Sequence, residues 1–157
     1  MRIRPGDVTS PEVHDLLSTY FAFRAEAFPE NDRDYAVTFP DPASFTGTAG
    51  VFLVVEDDEG RAVGCGGIRM LATPSEGTVR YEVKNVWLDP STRGRGWAGD
   101  LMADLESRAR AFGATELVLD THDSLTAAAR LYARLGFEPT LPYNDNPNAT
   151  RWYRKDL

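Results

Sequence analysis

The sequence predicts a mixed α/β (α+β) fold, a central mixed sheet with helices packed on its faces. Three strand-like runs joined by turns come early, and a strand–helix–strand unit follows them. The apolar period also changes from two to about 3.6 residues after Gly96. Early hairpins supply antiparallel pairs and a strand–helix–strand crossover supplies a parallel one, so both kinds of pairing are expected in one sheet.

The elements follow in order. Ser10-Pro11-Glu12 carries helix-start chemistry: a capping hydroxyl, a proline with its φ already set, and an acid near the positive end of the helix dipole. Val13, Leu16, Leu17, Tyr20 and Phe21 then recur at helical spacing. Residues 29–50 hold Pro29, Pro40, Pro42, Gly47 and Gly50 and read as a loop or short helix. Strand runs at 51–55 and 62–70 flank the turn Asp57-Asp58-Glu59-Gly60, and a third run at 78–88 closes on Asp89-Pro90. Leu101, Met102, Leu105, Ala109 and Phe112 mark one face of the next helix, with Gly113 where a C-terminal cap belongs. Residues 116–120 read as a strand, 124–135 as a helix ended by Gly136, and 137–140 and 150–155 as closing strands.

Length fits one domain over residues 1–157, large enough for a proper core, and no repeat or linker interrupts it. The apolar share of 42% and charged share of 26% are those of an ordinary globular protein. A net charge of −7 argues against nucleic acid, which needs a basic stripe. It suits a cationic substrate but also simply aids solubility. The lone Cys65 forms no intramolecular disulfide and fits a reducing compartment; flanked by glycines in a strand run with no base beside it, it reads as a small buried residue. Met1 to Gly6 lacks the apolar core of a leader, and no run is long enough to span a membrane. A cytoplasmic home is expected.

The chemistry concentrates in Pro90-Ser91-Thr92-Arg93-Gly94-Arg95-Gly96-Trp97-Ala98-Gly99, where a strand runs into a helix. A first helical turn offers unpaired N–H groups and a positive dipole end; glycines let that backbone approach a phosphate, and two arginines add charge. A tight turn with solvated arginines is the plainer alternative. Gly94-x-Gly96-x-x-Gly99 also spells a dinucleotide fingerprint, with Asp120 near the place of a ribose-binding acid. Five residues separate the strand from the first glycine, however, only residues 121–157 follow the acid, and the upstream strands fit no opening βαβ unit. No Gly-Lys-Ser/Thr follows the glycines, so a P-loop is excluded.

Arg93-x-x-Gly96-x-Ala98 resembles the phosphate loop of the GNAT (general N-acetyltransferase) superfamily. Glu82-Val83-Lys84-Asn85-Val86-Trp87-Leu88-Asp89-Pro90 resembles that family's fourth strand, and Leu131-Tyr132-Ala133-Arg134-Leu135-Gly136-Phe137 its Leu-Tyr-x-x-x-Gly-Phe signature. The ending from Tyr143-Asn144-Asp145-Asn146-Pro147 through Trp152 to Lys155 is similar to a bacterial small-molecule-type subgroup. The resemblance covers residues 51–157. It implies a largely antiparallel central sheet of six to seven strands flanked by about four helices. It also implies acetyl-CoA as cosubstrate, with no metal, and direct acetyl transfer to a primary amine of a small molecule or peptide. Neither nucleic acid nor membrane is implied as a partner, and the protein is expected as a monomer or homodimer. A catalytically silent acyl-CoA sensor and, more remotely, a dinucleotide-binding oxidoreductase are the alternatives.

Carried over position by position, the resemblance puts the CoA pyrophosphate on the backbone of Arg93, Gly94, Arg95, Gly96, Trp97, Ala98 and Gly99. It puts the pantetheine arm beside Val86, Trp87 and Leu88, with the Val86 N–H polarising the thioester carbonyl. Glu82 matches a catalytic glutamate, and two-residue alternation would set it on the same sheet face as Lys84 and Val86. A structural ion pair with Lys84 or Arg80 is the alternative for Glu82. Tyr132 matches the general acid that protonates the departing thiolate, and also contacts the cofactor. The chain departs from the pattern at Leu125, where many members carry a cofactor-contacting asparagine; the polar cluster Thr121-His122-Asp123-Ser124 is the candidate substitute. His122 with Asp123 falls short of a metal ligand set, and Asp123 reads as a helix cap.

Overall fold

A computed structural model describes residues 1–28, 34–72 and 75–157. Seven strands form one sheet: β1 (Arg2–Pro5), β2 (Gly50–Glu56), β3 (Ala62–Met70), β4 (Arg80–Leu88), β5 (Glu116–Thr121), β6 (Glu138–Pro139) and β7 (Arg151–Asp156). Their order across the sheet is β1-β2-β3-β4-β5-β7-β6. Every pairing is antiparallel except β4 with β5, the pair joined by the crossover helix. The helices are α1 (Pro11–Glu26), α2 (Trp97–Ala111) and α3 (Thr126–Arg134).

The two faces follow from the alternation of apolar residues. Leu53, Val55, Ile68, Tyr81, Val83, Leu117 and Leu119 pack with Leu101, Met102 and Leu105 of α2 and Tyr132 of α3. Phe52, Val54, Cys65 and Trp87 pack with Val13, Leu16, Leu17, Tyr20 and Phe21 of α1 on the other face. Ser10 caps α1, its hydroxyl accepting the Val13 N–H at 3.3 Å, and all five apolar residues of its expected face are buried. Cys65 is fully buried, and desolvation pushes its thiol up to about 12.

Several elements differ from expectation. Three α-helices replace the four expected among the described residues; the remaining helical pieces are 3-10 turns at Pro42–Phe45 and Pro90–Thr92. The first of these falls in the expected 29–50 segment, of which residues 29–33 lie outside the described residues. The edge strand β1 was not expected: Arg-Ile-Arg-Pro has one apolar residue, and its register comes from pairing with β2. α3 starts at Thr126 and not at Ser124, with no side-chain cap. The Asp123 N–H instead donates to the Thr150 hydroxyl at 2.9 Å, while His122 Nδ1 accepts the Ser124 N–H at 3.1 Å, so these residues form a turn before the helix. No helix among the described residues is long and apolar enough to cross a membrane.

Candidate functional site

A wedge opens in the sheet between β4 and β5. The two strands pair only at Arg80–Glu116, Tyr81–Leu117 and Glu82–Val118. Beyond Glu82 they part: β5 goes on pairing with β7 as far as Thr121, and β4 goes on pairing with β3 as far as Leu88. A cleft of about 990 Å³ fills the space, lined on both sides by residues 83–88 and 119–121.

The cause lies at Asn85. Its φ of 55° is the one positive value among described non-glycine residues, in a region that asparagine tolerates better than most residues. The β3 register shifts there: Cys65 faces Trp87, but Gly67 faces Lys84, so two β4 residues oppose Gly66 alone. This is a β-bulge, which bends a strand and ends its pairing on one side. Gly66 fits the crowded position opposite, where an added Cβ would lie 3.2 Å from Val86 and 3.3 Å from Leu101 and Leu105.

The bulge corrects the expected alternation. Glu82 and Lys84 do share a face, their charged atoms 3.2 Å apart. Val86 falls on the opposite face against the α2 core, while Trp87 turns to the α1 side. The backbone is redirected as well. Asp89 donates its N–H to Val63 O at 2.8 Å, so the alternation of an antiparallel ladder turns the N–H and C=O groups of Leu88 and Val86 away from β3, into the wedge.

At its other end the cleft meets the glycine loop. Asp89 folds the approach: its carboxylate accepts the Ser91 N–H at 2.8 Å and its carbonyl accepts the Thr92 N–H and hydroxyl at 2.9 and 2.7 Å. Gly94 and Gly96 then take φ values of 77° and 79°, which a side chain would strain. Gly96 occupies the N-cap of α2 with no side chain over the first turn. Arg93 already donates its N–H to Pro90 O, and Gly99 to Gly96 O. Among the described residues the N–H groups of Gly94, Arg95, Gly96, Trp97 and Ala98 have no protein acceptor. The expected backbone cradle of Arg93 to Gly99 therefore narrows to these central residues. Arg93, Gly94, Gly96, Trp97, Ala98 and Gly99 line the cleft; Arg95 does not, and its guanidinium lies 5.1 Å from the Trp97 ring.

Tyr132 lines the same cleft from α3, 8% exposed, its ring 6.0 Å from Phe137 and 6.1 Å from Tyr153. Burial pushes its phenol up to about 12, against the pull of Arg24, so it is a protonated hydroxyl at neutral pH. Leu125, the departure from the family pattern, lines the cleft too. Trp87 lines the wall, and its buried indole N–H has no partner among the described residues.

Glu82 stands apart from these groups. It is fully buried and does not line the cleft. Its Oε2 accepts Arg69 Nε at 2.8 Å and sits 2.7 Å from Arg69 Nη2. Its Oε1 accepts the Tyr143 hydroxyl at 3.0 Å and Asn144 Nδ2 at 3.2 Å, and Lys84 Nζ lies equally near. A carboxylate so enclosed has no open lone pair toward a substrate, so the expected base at Glu82 lacks a direct path to the cleft. Arg80, the other suggested partner, pairs with Glu116. Two carboxylate residues line the cleft: Asp89, whose side chain is taken up by the Ser91 N–H, and Asp120, held by Lys84 at 3.2 Å, Asn144 at 2.6 Å and Asn146 at 3.1 Å. The sequence reading missed Asp120 and the asparagines in this role. The alternation Asn144-x-Asn146-x-Asn148 beside Pro147 was the available signal, since asparagine organises loops through side-chain bonds.

Comparison with known proteins points one way. The family described as "Acetyltransferase (GNAT) family" matches residues 11–137. A fission yeast (Schizosaccharomyces pombe) protein named as an uncharacterized N-acetyltransferase is 35% identical over 98 residues, 62% of this chain and 58% of its own length. The matched stretch thus spans less than two thirds of that relative. A Klebsiella pneumoniae structure described as a candidate acyl-CoA N-acyltransferase is 28% identical with a TM-score of 0.74, covering 99% of this chain and 97% of its own. A GNAT family acetyltransferase from Elizabethkingia anophelis, solved with acetyl-CoA bound, shares the fold at 18% identity and TM-score 0.64, covering 99% and 97%.

Proposed function

Because the chain belongs to the GNAT acetyltransferase family, we propose that residues 1–157 act as one N-acetyltransferase domain that moves an acetyl group from acetyl-CoA directly to a primary amine. The wedge between β4 and β5 carries this reading. It ends at a helix start whose free N–H groups suit a pyrophosphate, and its β4 edge offers Val86 and Leu88 backbone groups to an extended amide chain, as a sheet edge receives an added strand. Loop and edge together match the two halves of acetyl-CoA.

In this reading the Val86 N–H holds the thioester carbonyl oxygen as negative charge develops on it. The amine nitrogen bonds to the carbonyl carbon, the carbon–sulfur bond breaks, and Tyr132 gives its proton to the departing sulfur. The amine's proton passes to Asp120, a carboxylate on the cleft wall. Glu82 acts beneath it, fixing Lys84 and Asn144, which in turn hold Asp120. A silent acyl-CoA sensor draws support from the enclosure of Glu82 and from Leu125. Thiol release from acetyl-CoA over a panel of amines tests transfer, and turnover with none favours the sensor. Thermal stabilisation by NADH and not by acetyl-CoA would overturn both.

A further inference from the structure

The cleft carries a cation that takes no direct part in the bond making and breaking of the transfer. Arg24, in the last turn of α1, lines the cleft. Its guanidinium carbon sits 5.9 Å from the Tyr20 ring centre and 5.4 Å from that of Tyr35. Its one polar partner among the described residues is the Tyr20 hydroxyl, to which it donates at 3.2 Å. Arg69 and Lys84 are matched by Glu82 and Asp120. Of these three cations, Arg24 is the one without a carboxylate partner among the described residues, in a chain whose net charge is −7.

Arg24 and Asp120 belong to one wall. Asn148 accepts the Ala36 N–H at 3.0 Å and donates to Ala36 O at 2.7 Å, fixing the segment that carries Tyr35. Asn146, two residues earlier, holds Asp120. The same cleft carries an aromatic cluster: the Phe21 ring centre is 6.3 Å from that of Tyr35 and 5.1 Å from that of Phe39. A guanidinium with no carboxylate partner among the described residues, flanked by rings, is a planar receptor for a ligand carboxylate. A purely cationic acceptor would meet it with like charge.

We propose that the acceptor is an amino carboxylate with an aromatic or large apolar side chain. Its carboxylate pairs with Arg24, its amine faces Asp120, and its side chain lies on the rings of Phe21, Tyr35 and Phe39. The proposal rests on the acetyl-transfer reading and names the substrate class of that site.

The test compares acceptors that differ only in the carboxylate, phenylalanine against phenethylamine and tryptophan against tryptamine, with acetyl-CoA and thiol release as the readout. The wild-type protein should favour the amino acids by about tenfold or more in kcat/KM, the worth of a charge-assisted pair. Arg24→Met should erase that preference through KM for the amino acids and leave acetyl-CoA affinity unchanged, while any change in kcat from the lost charge near Tyr132 falls equally on the amino acids and the bare amines. Equal or better use of the bare amines by the wild-type protein overturns the proposal, and so does an Arg24→Met protein that keeps the preference or loses acetyl-CoA affinity. If Arg24→Met fails to fold, the wild-type comparison decides. If no amine is turned over, the transfer reading fails separately, and calorimetric binding of phenylalanine against phenethylamine to the acetyl-CoA-loaded protein decides the ligand class.

Discussion

Replacing Glu82 with glutamine separates a base from a positioning residue. The substitution keeps shape and removes one charge. Glutamine can still accept at one oxygen, but its NH₂ must face either the Arg69 guanidinium or the donors from Tyr143, Asn144 and Lys84. Donor meets donor on whichever side it occupies. Removing one partner of a buried ion pair costs roughly 3–5 kcal/mol. Here the Arg69 side chain is 35% exposed and that of Lys84 21%, so water recovers part of their charge, and a cost of about 2–3 kcal/mol follows. At roughly 2–4 °C per kcal/mol for a chain of this length, Tm should fall by about 5–10 °C. Thermal unfolding by circular dichroism reads that drop, and a pH profile of acetyl transfer reads the chemistry. A positioning role predicts a raised KM for the amine and a profile of unchanged shape. A Tm within about 1 °C of wild type, with kcat collapsed and the acidic limb of the profile abolished, would refute the positioning role and restore Glu82 as the base.

Tyr132→Phe should lower kcat by on the order of 10²-fold, the usual worth of a positioned acid, with acetyl-CoA affinity nearly unchanged by calorimetry; full activity would reduce Tyr132 to packing. Gly96→Val places a β-branched residue at φ 79°, costing about 1–2 kcal/mol in backbone strain. Because no atom beyond its chain neighbours lies within 4 Å of the added Cβ, the further effect should be a weakening of acetyl-CoA binding by about tenfold or more, and an unchanged Kd would contradict the loop's role. Burial raises the pKa of Tyr20, Tyr132, Tyr143 and Cys65. Raised values mean that the folded state holds these protons more tightly than the unfolded chain. Their stabilisation is therefore whole below about pH 9 and declines as pH rises toward 12; Tm should begin to fall above about pH 9, and a flat Tm to pH 11 would count against the burial of these groups.

Much of this architecture was legible because apolar periodicity reports burial. Val13, Leu16, Leu17, Tyr20 and Phe21 marked α1, and Leu101, Met102, Leu105 and Ala109 marked α2; all are buried. The arrangement of the glycine loop was readable because Gly94 and Gly96 occupy conformations that few other residues accept. What escaped depends on distant partners. β1 owes its conformation to β2 across about fifty residues of chain, and local pattern does not register such pairing. The bulge at Asn85 broke a two-residue alternation that the sequence otherwise supported, moving Val86 to the face opposite Glu82. The enclosure of Glu82 needs Arg69 from β3 and Tyr143 and Asn144 from the loop before β7, positions that no spacing rule connects.

The short β4–β5 seam has a mechanical consequence. Two slabs, β1 to β4 on one side and β5 to β7 on the other, share only three residue pairs of ladder. A ligand lodged in the gap would complete the missing length of seam, bracing both slabs at once. Amide exchange at Leu119, Asp120 and Thr121 should then slow on acetyl-CoA binding even though the loop proposed to hold the phosphates follows β4, across the gap from them. The cosubstrate would be part of the sheet's framework as well as its cargo, and the order of binding would follow: the acceptor's wall becomes rigid once the seam is closed.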